Sequence, residues 1–229
     1  MIVNLGRVAN RVKRDSAAVS AADNSPRSPA GAGAAAAARR PGPARREAIF
    51  AAALRLFRER GFHGTAIKDI GAAAGVTGPA LYRHFDSKGA VLREAILEGS
   101  NRMAAAIRAA LAQETPTPEA ALEALTRATV EAALENADIF AAYVLEARHL
   151  DREIRKSLRR RELRHREEWA RLLLGVHPDV DPEQARTLVA MATYSLAALC
   201  MEPSRLPRPQ LVELATERVM ALLLAPAPG

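Results

Sequence analysis

The chain has 229 residues, 49% of them hydrophobic but only 4% aromatic, and a formal charge of +7. That length accommodates one or two modest domains, and the single cysteine, Cys200, excludes an internal disulfide or a multi-cysteine metal site within one chain. No apolar run reaches the ~18 residues of a membrane span. The basic N-terminus also has no continuous apolar stretch behind it, as a secretory signal would, so the expected location is cytoplasmic.

Ala and Leu dominate, and β-branched residues are scattered rather than alternating, which predicts an all-α protein. The charge is uneven. Residues 1–46 hold nine Lys/Arg against two Asp/Glu, and so carry the whole +7. Divided after Arg93, the first part carries +10 and the second −3. The asymmetry fits a nucleic-acid-binding N-terminal end on a neutral-to-acidic body.

Residues 1–43 are rich in Ser, Pro, Gly and Ala, with almost no large apolar side chains, and are expected to be a disordered basic tail. Pro41 and Pro43 stop any helix that starts in Ala34–Ala38. Arg39, Arg40, Arg45 and Arg46 lead into the first helix, predicted from Ala44 to Arg60. These arginines are either an arm on phosphates or a solvated run.

A compact stretch follows, GFHGTAIKDIGAAAGVTGPALYRHFDSK, Gly61 to Lys88. Gly61 ends the first helix. Thr65 is the expected N-cap of a short second helix whose apolar face is Ile67, Ile70 and Ala74. Gly75 can adopt the left-handed conformation that ends it. Thr77 caps the next helix and Pro79 lies in its first turn, where no N–H is needed. Leu81 and Phe85 point inward, leaving Thr77, Gly78, Pro79, Tyr82, Arg83 and His84 outside. Two short helices, a Gly-containing turn and a polar outer face make a helix–turn–helix. Arg83 has the fork geometry for guanine or phosphate. Tyr82, His84 and Lys88 offer donors to phosphate oxygens. Ser87 is the expected cap of the helix after it.

The pieces RREAIFAAALRLFRERGFHGTAIKDI and AAAGVTGPALYRHFDSK resemble the N-terminal domain of the tetracycline-repressor (TetR) family. The likeness spans Arg46 to Leu92 and rests on GF–x–x–T, AGV and LY–x–HF–x–SK at these distances. It implies a three-helix DNA-binding domain over 44–90 and a helical ligand-binding and dimerisation domain over 91–226. The expected DNA-contacting residues are Arg46, Thr65, Thr77, Gly78, Pro79, Tyr82, Arg83, His84 and Lys88. Two positions depart from the family pattern. Gly71 stands where Ala is usual, costing about 1 kcal/mol in helix propensity. Gly89 stands where Glu is frequent, which removes a reciprocal capping bond.

A long helix is predicted from Ser87 to about Gln113, with Leu92, Ala95, Ile96, Gly99, Met103, Ile107 and Leu111 as its apolar stripe. The resemblance makes this helix the link between DNA head and body. TPTPEA breaks the chain at 115–120. Helices are then predicted over Pro118–Glu135, Ala137–Leu150, Arg152–Leu174, Pro182–Cys200 and Gln210–Leu224. In the Arg152 helix, Ile154, Leu158, Arg161, His165, Trp169 and Leu172 share one face. Arg161 is either a rim charge or a pocket residue, and His165 either a core histidine or a ligand contact. Arg155, Lys156, Arg159 and Arg160, with Glu153 and Glu162, read as a solvated face.

The resemblance implies that the last two helices pair with a second copy, through Leu188, Ala192, Leu196, Leu211, Leu214, Val219 and Leu222. It also implies a small-molecule effector. Met103, Ile107, Phe140, Tyr143, Arg161, His165 and Trp169 are the candidate pocket, suited to an apolar or amphipathic molecule. The second half is similar to regulators that respond to acyl-CoA or lipid-derived compounds, with Arg148 and Arg152 available to a CoA phosphate. No nucleophile–base pair, HExxH or phosphate loop is present, so no enzyme, cofactor or metal is expected. The function expected is a sequence-specific transcriptional repressor on double-stranded DNA. A nonspecific architectural DNA-binding protein is the alternative.

Overall fold

The computed structural model describes residues 42–202 and 204–225. The tail up to residue 41, with Arg39 and Arg40, lies outside them. Among the described residues every regular element is helical, as expected. No helix there is long and apolar enough to cross a membrane.

α1 (Pro43–Arg60), α2 (Ile67–Ala73) and α3 (Gly78–Tyr82) form the head. α4 (Lys88–Leu111) leaves the head and runs into the body. The body continues with α5 (Pro118–Glu135), α6 (Ala137–Glu146), α7 (Arg152–Val176), α8 (Pro182–Met201) and α9 (Arg208–Leu224).

The helix starts obey local chemistry. Ser87 Oγ accepts from Ala90 N–H at 3.1 Å, and Thr117 Oγ1 from Ala120 N–H at 3.1 Å. Asp181 accepts from Glu183 and Gln184 ahead of Pro182. Because Ala90 holds the third helical position of α4, a side chain at 89 is not placed to close a capping box.

One boundary differs from expectation. α6 ends at Glu146, and Ala147–His149 tighten into a 3-10 turn. Glu146 is buried, and the turn brings Arg148 and His149 to within 3.6 and 3.5 Å of its carboxylate. Arg155, expected on a solvated face, instead donates to the carbonyls of Arg148 and Leu150 and so holds this turn closed.

Two apolar clusters fill the molecule. The first contains Phe50, Phe57, Ile70, Leu81, Phe85 and Leu92 of the head and continues into Ala142, Leu150 and Leu158. Head and body therefore share buried surface. The second surrounds Trp169, with Leu122, Leu125, Leu173, Val189, Val219 and Leu223. Each large side chain buried here contributes about 1.5–3 kcal/mol.

Gly99 sets the crossing of α4 with α6. A Cβ there would fall 2.5 Å from Ile139 Cγ2, so only glycine allows this approach.

Candidate DNA interface and interior cavity

The outer surface of the head is built by the turn between α2 and α3. Asp69 accepts the Ala66 N–H at 3.3 Å and starts α2. Gly75 takes φ +66° and reverses the chain, and Val76 N–H returns to Gly71 O at 2.9 Å. Pro79 lies in the first turn of α3. Leu81 and Phe85 are buried, with the Phe85 ring 6.0 Å from that of Phe50.

That anchoring turns the other side outward. Thr77, Pro79, Tyr82 and Arg83 are exposed, Tyr82 by 55%, while Gly78 and His84 are half-buried. Thr77 occupies the N-cap position, yet its hydroxyl makes no capping bond. These six residues form one contiguous patch at the leading end and outer side of α3.

Three expected DNA contacts are already engaged inside the protein. Thr65 is only 1% exposed and donates its hydroxyl to Gly61 O at 2.9 Å and Leu56 O at 3.2 Å. It therefore closes α1 rather than capping α2, whose N-cap is Ala66. Lys88 Nζ donates to Phe62 O at 2.6 Å, Thr65 O at 2.8 Å and His63 O at 3.4 Å, and lies 4.6 Å from the Phe62 ring centroid. All three ammonium donors are thus used on loop carbonyls. Arg46 pairs with Glu94 at 2.7 Å and stacks over Phe50, fastening α1 to α4.

The body contains a partly open cavity of ≈ 180 Å³. Its apolar wall includes Ile96, Gly99, Met103 and Ile107 of α4, and Ile139, Phe140, Tyr143 and Val144 of α6. Its polar wall comes from α7, with Arg161, Glu162, His165 and Arg166, faced by Thr193 and Tyr194 of α8. Six of the seven expected pocket residues line this space. Trp169 does not: it is fully buried in the second core cluster and supports His165 from behind, ring centroids 5.7 Å apart.

The polar wall is unevenly satisfied. Glu162, expected on a solvated face, turns inward and pairs with Arg166 at 2.5 Å and Arg159 at 3.0 Å. Arg166 also lies over the Tyr194 ring at 4.7 Å. Arg161 donates to Ser100 Oγ and Asn101 Oδ1. Both ring nitrogens of His165 are buried without a hydrogen-bond partner among the described residues. Burial, helped by the nearby Arg166 charge, pushes the His165 pKa down to about 4, so the imidazole is neutral at pH 7.

Sequence periodicity found the α4, α6 and α7 stripes, Gly99 among them, but missed Glu162, Arg166 and Tyr194. The alternation of charge and apolar residues in α7 carries no mark of which charges turn inward. Arg148 and Arg152 do not line the cavity, so a phosphate contact from them is not made at this site.

The helices that wall the cavity make two further contacts, one between α4 and α6 and one from the end of α6 to the head. Gly99 and Ile139 both line the cavity and pack on each other. At the end of α6, Glu146 accepts the Phe62 N–H at 3.3 Å, and the His149 ring stacks on Phe62 at 4.3 Å.

The outer faces of α8 and α9 retain apolar surface: Met191 is 51% exposed, Leu214 40%, and Leu188, Leu211 and Leu222 are half-buried. Ala192, Leu196 and Val219, expected at a two-copy interface, are buried in their own chain, and Leu196 lines the cavity. They lie on the inner stripe of helices whose other side is free.

Residues 49–95 match the model of bacterial regulatory proteins of the tetR family. A 106-residue stretch is 34% identical to the HTH-type transcriptional repressor KstR2 of Rhodococcus jostii (strain RHA1); it covers 46% of this chain and 52% of that relative, about half its length. Among solved structures, the TetR family transcriptional regulator PfmR from Thermus thermophilus is similar at 26% identity and a TM-score of 0.66, over 76% of this chain and 96% of that one. The ketosteroid transcriptional regulator KstR2 of Mycobacterium tuberculosis shares the fold, with a TM-score of 0.68 at 21% identity, over 80% of this chain and 95% of that one.

Proposed function

We propose that the chain, whose residues 49–95 match the tetR family model, is a transcriptional regulator of that family and a repressor released from its operator by a small amphipathic molecule in the α4–α6–α7 cavity. The observation that carries this is the pairing of two features. An exposed Thr77–His84 patch stands on a head in which Thr65, Lys88 and Arg46 are internally engaged. A partly open cavity lies behind it, its wall built partly from the helix that carries the head.

Arg83 reads base edges or phosphate, while Tyr82, Thr77 and His84 set register on the backbone. Repression is supported by the relative matched at 34% identity, which is itself a repressor. Two copies pair through the free sides of α8 and α9, with Leu188, Met191, Leu211, Leu214 and Leu222 between them. A two-fold pair of heads then meets half-sites about one DNA turn apart, ~34–36 Å.

A guest pressing on Ile139 shifts α4 at Gly99, and a shift of α6 reaches Phe62 through Glu146. The guest must bind the released conformation better than the DNA-bound one, and DNA must oppose the guest by the same factor.

The test is fluorescence anisotropy against DNA upstream of the protein's own gene at about 150 mM salt, with scrambled duplex as competitor. Binding that survives excess competitor is the expected result. Equal, salt-sensitive affinity for both duplexes would mean a nonspecific DNA-coating protein instead. Light scattering at micromolar concentration should give a dimer mass; a monomer would remove the paired-head arrangement.

A further inference from the structure

The α7 wall of the cavity carries more positive charge than its own carboxylate balances. Glu162 is held by Arg159 and Arg166 together. Arg161 lines the same cavity, and its guanidinium donates to two neutral acceptors, Asn101 Oδ1 at 2.8 Å and Ser100 Oγ at 3.2 Å. Among the described residues no ion pair engages it. One helical turn along the same face is His165, with both ring nitrogens buried and unpartnered. A buried polar atom left without a partner costs about 1–3 kcal/mol. The wall therefore has an uncompensated cation, an unfilled N–H donor and a net positive potential beside an apolar chamber.

This rests on the cavity being the effector site, and it narrows what the effector is. We propose that the cavity takes an amphipathic monocarboxylate, with its apolar body against Met103, Ile107, Phe140 and Val144 and its carboxylate accepting from Arg161 and from the His165 ring N–H.

The alternatives fit less well. An alcohol would satisfy His165 but leave the Arg161 charge unbalanced. An amine would meet Arg159, Arg161 and Arg166 with like charge. A phosphate dianion would bring two charges to one free cation, and a buried unmatched charge is costly. The void is also small. At ≈ 180 Å³ it is comparable with a cavity of about 150 Å³ that holds a single benzene ring. A ring or short chain of roughly six to ten carbons would fill it.

Trp169 is the chain's single tryptophan and lies directly behind His165, so its fluorescence reports on the site. The full-length protein is titrated with hexanoate, octanoate and decanoate, then with the alcohols of equal chain length and with octylamine. At least one acid should change the Trp169 signal saturably and bind at least tenfold tighter than its alcohol. Arg161→Gln should remove that advantage and leave the alcohol's affinity unchanged, while Arg161→Lys should keep part of it. An alcohol binding as tightly as its acid, or an advantage that survives Arg161→Gln, would overturn the carboxylate assignment and leave the cavity a ligand site of another class. No response to acid, alcohol or amine from protein that still binds its operator would overturn the effector site itself. The acid-to-alcohol ratio of the parent protein decides the matter even where a variant fails to fold.

Discussion

In the head, Lys88 gives its ammonium to the carbonyls of Phe62, His63 and Thr65, and Thr65 gives its hydroxyl to Leu56 and Gly61. In the cavity, the ring nitrogens of His165 find no partner among the described residues, and Arg161 meets only neutral acceptors. The head is complete without a ligand, so the groups it leaves outside, Tyr82 and Arg83 above all, are free to meet one rigidly. The cavity is left incomplete, and its stability is open to improvement by a guest. On the proposed reading, a region that presents a fixed surface satisfies its own donors, and a region that would respond to a small molecule keeps some of them in reserve.

The largest expected effect tests the reserve. Folded His165 titrates near 4 against an ordinary 6.5, so between those values the unfolded chain takes up a proton that the folded protein refuses. Its contribution is fully present above about pH 6.5 and is lost as pH falls toward 4, at most about 3 kcal/mol. Urea midpoints at pH 7 and pH 4.5 should therefore converge in His165→Phe relative to the parent. An equal acid loss in both would show that His165 is not the group refusing the proton.

Next comes the head's completeness. Lys88→Met leaves three carbonyls of the Phe62–Thr65 loop without their donor and should cost about 2 kcal/mol, a melting point lower by roughly 5 °C. If melting were unmoved and only DNA affinity fell, Lys88 would be a phosphate contact after all and the head would hold donors in reserve too. The smallest effect is expected where neither logic applies. Arg102 bridges Glu47 at 2.6 Å and Glu98 at 3.4 Å on a solvent-facing side of α4. Arg102→Ala should cost only about 0.5 kcal/mol by urea unfolding, because exposed ion pairs are screened.

How much of this the chain declares in advance follows from the range of the interactions. Helix ends were legible where one residue decides them: Ser87 and Gly75 each act on groups within four positions. The exposed Thr77–His84 patch was legible because Leu81 and Phe85 fix which way α3 faces. Thr65, Lys88 and Arg46 misled for the opposite reason. Each is a polar residue of the right type in the right motif, and only the folded chain brings Leu56 O, Phe62 O or Glu94 within its reach.

The cavity lay between these cases. Its apolar residues fell on stripes that periodicity finds. Trp169, on the same stripe, was placed one layer too far forward. Glu162 and Arg166 were hidden among many similar charges. The paired-copy face suffered likewise: Ala192, Leu196 and Val219 were chosen as apolar, and apolar positions on a helix fill its own core first.

The most direct test of the central claim is the operator affinity of Arg83→Ala measured beside its thermal melt. Arg83 is exposed and no ion pair engages it among the described residues, so truncation should leave the melting temperature at the parental value. Affinity for the specific duplex should fall by about 2 kcal/mol, roughly thirtyfold. Parental affinity in a variant that melts like the parent would contradict the account and move the DNA-reading surface away from α3.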